Sequence, residues 1–268
     1  MLTRFVEESG VFMGNKRDVN DEALYFRRIN DWILSQAGVT WDNTYNMKFI
    51  NRYFIENVCS VIDRRMSSIW ISKYLGLKDS IRFGSIYNQT GKWGWKDPRN
   101  TLTLPIWKEL FPDAKIVHIY RNPIDIAASL RAREYLLERQ YEPTFRTRLS
   151  QYFLRNRFFF YQSSRVHSLL EGFKLWKEYV ELALAADELY EDVMHIKYED
   201  FLNNPSVVLE ELAAHLQVTA DRALMGSISA KIDKSRSFAF VEDRELLAFF
   251  QSVRDDELMV KLGYSAIV

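Results

Sequence analysis

The chain has 268 residues, 47% hydrophobic and 15% aromatic, enough for one large domain with a sizeable core. Its 36 basic residues balance 36 acidic ones, so bulk charge points to neither nucleic acid nor an acidic membrane. No apolar run reaches the roughly 18–20 residues of a membrane span, and the single cysteine, Cys59, excludes an intrachain disulfide. The start MLTRFVEESG has neither the apolar core nor the small-residue cleavage site of a signal peptide. Together these features favour a cytoplasmic protein. His118, His167, His195 and His215 are scattered, with no His/Cys cluster at metal-ligand spacing, and no metal is expected.

In chain order, Leu2 to Ser9 reads as a helix ending at Gly10. A second helix starts at Asn20 as N-cap, carries Asp21 and Glu22 in its first turn, and stops before Gly38. A long third helix is predicted from about Met47 to Leu75, closed by Gly76. Its apolar stripe is Ile50, Phe54, Val58, Ile62, Met66 and Ile69, with Cys59 packed as a small apolar group. Lys92–Lys96 reads as a short aromatic strand. Ala114–Tyr120 and Val193–Tyr198 read as buried parallel strands, with a helical block from about Ile124 to Tyr190 between them. Asn204-Pro205 opens a further helix in which Leu209, Leu212 and Leu216 share a face. Strands alternating with helices give a helix-rich α/β fold with a parallel sheet. No repeat or Pro/Gly/Ser linker interrupts it, so the expectation is one domain over 1–268, with a helical lid over about 131–190.

The most informative segment is KIVHIYRNPIDIAASL, residues 115–130. A buried strand ends at Tyr120, and Arg121 follows at its carboxyl end, where open α/β sheets bind ligands. Asn122 suits the cap of the next helix and Pro123 its first position. A fixed cation beside a helix N-terminus is an anion site, although an arginine there could equally cap a carbonyl.

The string as a whole resembles the 3′-phosphate motif of sulfotransferases that use 3′-phosphoadenosine-5′-phosphosulfate (PAPS): Arg-x-Pro-x-Asp followed by a serine eight residues after the arginine. The resemblance implies that Arg121 and Ser129 hold the 3′-phosphate of PAPS. KYEDFLNNP, residues 197–205, is similar to a later family stretch, which implies that Tyr198 lies near the adenosine. WKDPR, residues 95–99, resembles the segment that brings a lysine, here Lys96, to the sulfuryl group. NDEALYFRRINDW, residues 20–32, resembles the heparan sulfate type, in which a glutamate near an aromatic pair is the general base. Glu22 with Tyr25-Phe26 fits. Where cytosolic members carry a catalytic histidine, this chain has Pro98. Lys234, Ser235 and Arg236 in KIDKSRSF resemble a late basic loop that returns to the 3′-phosphate.

The family fold is a P-loop-NTPase-like parallel sheet flanked by helices. It opens with a strand and a Pro-Lys/Arg-Ser-Gly-Thr loop that wraps the 5′-phosphosulfate. Neither the strand nor the loop occurs in this sequence. LTRFVEESGVFMG resembles the segment after that loop, which leads to the expectation of roughly 20–30 further residues upstream, the length of such a βα turn. The implied activity is sulfuryl transfer from PAPS, without a metal, to a hydroxyl or amine of a carbohydrate or small molecule. The main alternative is a non-catalytic module that binds the adenosine bisphosphate product. A P-loop kinase lacks its Lys-Ser/Thr here. A nucleic-acid binder would rest on residues 131–165, whose eight arginines face three glutamates around Phe158–Tyr161. That stretch equally suits a lid, or recognition of an anionic or sugar acceptor.

Overall fold

The computed structural model describes residues 1–140, 145 and 162–267. Phe158 to Tyr161 and most of the arginine-rich stretch lie outside the described residues. In chain order the helices α1 (Leu2–Glu8), α2 (Leu24–Gln36), α3 (Arg52–Met66), α4 (Ser72–Leu75), α5 (Leu77–Phe83) and α6 (Asn100–Leu110) lead to strand β1 (Ile116–Tyr120). Helices α7 (Pro123–Gln140), α8 (Leu169–Leu184) and α9 (Ala186–Leu189) lead to strand β2 (Val193–Lys197). Helices α10 (Tyr198–Asn203), α11 (Pro205–Leu216), α12 (Arg222–Ser229), α13 (Arg244–Val253) and α14 (Glu257–Lys261) come after it. The chain forms two compact units, one of residues 1–120 and 179–234, the other of residues 121–178 and 235–268. No helix among the described residues is long and apolar enough to cross a membrane.

The first unit is built around an aromatic cluster. Phe26 on α2 is fully buried and stacks on Trp95 at 4.0 Å between ring centroids, with Trp107 of α6 edge-on at 5.6 Å. Ile29 and Ile33 of α2, Val58, Ile62 and Met66 of α3, and Tyr74 of α4 complete it. Such pairs add about 0.5–1.5 kcal/mol each beyond the area they bury. The segment 92–96 is therefore not the expected strand. It makes a single bridge, Trp93 to Phe12, and its tryptophans are drawn into the cluster instead.

Two helical boundaries also differ from expectation. Asn20 is not the cap of α2, which begins four residues later. Asp18 instead accepts the backbone N–H groups of Asn20 and Glu22, at 2.8 and 3.0 Å, and Asp21 takes a positive φ of 61°. A short polar side chain that bonds its own backbone competes with the helix here. The long third helix is broken for the same reason. Asn51 caps α3 through the Phe54 N–H, α3 ends at Met66, and the Ser68 hydroxyl then accepts the N–H of Trp70 to start a new turn. Ile69 leaves the predicted stripe and is exposed. Cys59 stays on α3, half-buried, and burial pushes its thiol up to about 11.

Strands β1 and β2 pair in parallel, with Ile116 opposite Val193 and Tyr120 opposite Lys197. Alternation sends Ile116 and Val193 to one face, against Leu104 and Tyr190, and Val117, Met194 and Ile196 to the other, against α11 and α12. The register also sets His118 beside His195, with their Nδ1 atoms 2.8 Å apart, so one ring donates to the other. His195 Nε2 lies 3.1 Å from Asp187 Oδ1 on α9.

In the second unit α7 and α8 approach closely. A Cβ on Gly172 of α8 would meet the Ala127 Cα of α7 at 3.2 Å. Trp176 of α8 packs on Phe173 and Tyr264, and Phe240 packs on Phe250 of α13.

Burial, reinforced by His195, lowers His118 to about 4 against 6.5 for the free side chain. The folded state thus disfavours protonation that the unfolded chain accepts, and stability present above pH 6.5 is lost as pH falls from 6.5 through 4. The expected loss at low pH is on the order of 3 kcal/mol. Urea titrations across this window should show it, and His118→Asn should flatten the dependence. An unchanged pH slope in that variant would exclude His118 as its source.

Candidate functional site

Arg121 is the first residue after β1. Its Nη2 donates to Asp125 Oδ2 at 2.5 Å and to the carbonyl of Arg236 at 2.5 Å. Asn122 behaves as expected of a cap: its Oδ1 accepts the Asp125 N–H at 2.9 Å. The same Asp125 is buried and receives two further bonds, from Asn122 Nδ2 at 2.8 Å and from the Phe240 N–H at 3.0 Å. The backbone carbonyl of Arg121 accepts Trp176 Nε1 at 2.9 Å. Side chain and main chain of this residue are each held by long-range partners in the second unit.

Ser129 is exposed on α7. It lies four residues after Asp125, one turn along the same helix. Residues 234–236 form an exposed turn, and the Arg236 carbonyl reaches the Arg121 guanidinium. Among the residues predicted for 3′-phosphate binding, the structure brings Arg121 and the turn of Ser235 and Arg236 together, and Ser129 stands exposed two turns along the helix that follows Arg121. Lys234 begins that turn and belongs to the first unit. Tyr198 opens α10 directly after β2 and packs part-buried against the Ile196–Leu209 core. Tyr120 and Lys197 are the last register pair of the two strands, so Arg121 and Tyr198 both stand at strand carboxyl ends.

Glu22 and Lys96 meet in the first unit. Glu22 does not sit in a helical first turn as the sequence suggests; it precedes α2 and is buried, with its carboxylate facing three cations. Arg99 Nη1 lies at 3.3 Å, Lys96 Nζ at 3.5 Å and Arg27 Nε at 3.8 Å. The Lys96 ammonium also donates to the Asn20 carbonyl at 3.0 Å, and its side chain is 42% exposed. A buried acid and a partly exposed cation thus stand side by side. The neighbouring Tyr25-Phe26 pair is core, with Phe26 fully buried and burial pushing the Tyr25 phenol up to about 12.

Three residues central to this arrangement carry no role in the sequence reading. Asp97 is buried and bonded to Arg99 Nη1 and to Asn30 Nδ2, both at 2.9 Å. Arg99 reaches Glu22, Asp97 and Asp31 at once. Asn30 is fully buried. Its Nδ2 also serves Asn100, and its Oδ1 accepts from Thr103 Oγ1 and Trp107 Nε1 at 2.9 Å each. The available signal for Asn30 was an asparagine on the apolar side of a helical pattern. Among the described residues no group of His, Cys, Asp and Glu is arranged to hold a metal. Asn30→Leu leaves Asp97 and Trp107 short of buried polar partners and should lower stability by about 2–4 kcal/mol in urea denaturation. A change below about 1 kcal/mol would show that water replaces the amide.

A strand that ends in a clamped arginine, followed by a capped helix, agrees with comparison to known families. The family model described as "Sulfotransferase family" matches residues 23–222, well over half of the chain and spanning β1, α7 and β2. No curated protein and no solved structure matches significantly. On that match, the chain belongs to the sulfotransferase family.

Proposed function

We propose that this chain moves a sulfuryl group from PAPS to a hydroxyl or amine of a carbohydrate or small-molecule acceptor, on a P-loop-like sheet. The observation that carries the proposal is the double anchorage of Arg121 at the end of β1, where the late turn at Arg236 meets the same guanidinium. An arginine fixed by a buried carboxylate offers its fork to an anion without first losing side-chain entropy. In this reading Arg121 and Ser129 hold the ribose 3′-phosphate, and the turn of Lys234, Ser235 and Arg236 closes over it. Tyr198 borders the adenosine.

Sulfuryl transfer is an in-line displacement in which positioning and charge stabilisation supply most of the acceleration, as in phosphoryl transfer. Glu22 takes the proton of the acceptor. The Lys96 ammonium, turned away from Glu22, meets the negative charge that develops on the bridging oxygen as the bisphosphate leaves. Arg99 holds the Glu22 carboxylate in place while Lys96 moves. The PAPS donor supplies the activated sulfuryl group, and no redox step is involved.

The two groups of residues predict different kinetic signatures. Arg121→Ala should raise the KM for PAPS by about 10–100-fold with little change in kcat, and Ser129→Ala by about 5–10-fold. Glu22→Gln and Lys96→Ala should each lower kcat by about 100-fold or more at saturating donor. Steady-state sulfation assays over an acceptor panel measure both. Equal losses of kcat in all four variants would refute these assignments.

In a second reading Arg121, Ser129, Tyr198 and the late turn serve only to bind the 3′-phosphate and adenosine of the product. Calorimetric binding of adenosine 3′,5′-bisphosphate, abolished by Arg121→Ala, without sulfation of any acceptor, would select a binding module instead.

A further inference from the structure

The chain is neutral overall, yet one exposed stretch of the first unit is not. Between Asp63 and Phe83 the sequence has five cations (Arg64, Arg65, Lys73, Lys78 and Arg82) and two carboxylates, Asp63 and Asp79. All five cations are exposed. Elsewhere many surface cations are neutralised in pairs such as Arg4–Glu8, Arg52–Glu56 and Arg131–Glu245. Among the described residues none of these five makes an ion pair. Three instead lie over rings: Lys73 over Trp70 at 4.3 Å, Arg82 over Phe83 at 5.1 Å and Arg65 over Trp32 at 5.7 Å.

The same segment exposes large apolar side chains. The turn Ile69–Ile71, α4 and α5 pack on one another and turn Ile71, Tyr74, Leu75 and Ser80 inward. Outward stand Ile69 at 64% exposure, Trp70 at 57%, Leu77 at 66% and Ile81 at 73%. Leu77 and Ile81 are one turn apart on α5 and share a face.

We propose that this surface docks on an anionic lipid bilayer. Trp70, Leu77 and Ile81 would enter the boundary between headgroups and acyl chains, and the five cations would engage lipid phosphates. The pattern decides between lipid and protein. A protein interface has a centre depleted of charge, with charges at its rim. Here the cations interleave with the apolar residues: Lys73 lies on Trp70, Lys78 comes directly after Leu77 and Arg82 directly after Ile81. Interleaving suits an interface in which apolar side chains sink and long basic side chains snorkel to headgroup level. Each Lys or Arg near an anionic leaflet strengthens binding severalfold, so five unpaired cations form a strong local address despite zero net charge. The proposal is independent of the catalytic reading, because it uses none of those residues.

The test is sedimentation of the purified chain with phosphatidylcholine vesicles, with or without about 30% phosphatidylglycerol. The partition coefficient should rise at least about tenfold with the anionic lipid and fall back in about 0.5 M salt. A Trp70→Ser/Leu77→Ser/Ile81→Ser variant and a Lys73→Glu/Lys78→Glu variant should each lose at least about tenfold of that binding. Because the substituted side chains are exposed, their melting temperatures should match the parent and keep the comparison valid. Equal binding to neutral and anionic vesicles overturns the proposal, as does binding that both variants retain. So does self-association broken by the apolar variant without vesicle binding, which would assign the face to a second copy of the chain. Salt-sensitive RNA binding without vesicle binding would overturn it equally.

Discussion

Removing a carboxylate from water costs several kcal/mol unless opposite charge and hydrogen bonds replace the lost solvation. Asp125 meets that demand with three partners: the Arg121 guanidinium, the Asn122 amide that caps α7, and the distant main-chain N–H of Phe240. Each partner is thereby fixed. The strand end, the helix start and the segment after the basic turn are tied to one pair of oxygens. The reach of Arg121 and the position of Ser129 one turn further along α7 both result from that arrangement. The aspartate in the family motif thus has a clear physical role, which is to hold the arginine.

Much of this was legible in the sequence because the signals were local. The strand–Arg–Asn–Pro string specifies a cap, a first-turn proline and an arginine at a strand end, and the structure has all three. Both parallel strands and the Pro205 helix also stand where their apolar patterns put them, within two residues. The errors in the helices have one source. Asp18 and Ser68 bond nearby backbone in ways that hydrophobic periodicity does not register, so α2 starts late and the third helix breaks. The aromatic segment 92–96 failed differently: Trp93 and Trp95 gain more from stacking in the core than from a sheet ladder. Asn30 and Arg99 were invisible because their importance depends on partners about 70 residues distant.

Composition was informative for the whole and misleading for the parts. Equal numbers of acidic and basic residues describe an average over a chain that concentrates charge in specific places. Around Glu22 three cations converge on one carboxylate. Along α4 and α5 cations gather with no carboxylate paired to them among the described residues. The first is an internal balance that keeps an acid and a lysine in register. The second is an external imbalance that stands open to solvent.

Gly172 has no side chain to offer a ligand, yet it sets the gauge of the second unit. Because a Cβ there would crowd the Ala127 main chain, the spacing of α7 and α8 is a tight limit rather than an average over side-chain adjustments. Trp176 stands one turn along from Gly172 and carries the bond to the Arg121 carbonyl, so that spacing is transmitted directly to the arginine. A residue with no chemistry of its own is therefore under the same geometric constraint as the arginine at the strand end. A single added methyl there would press the two helices apart.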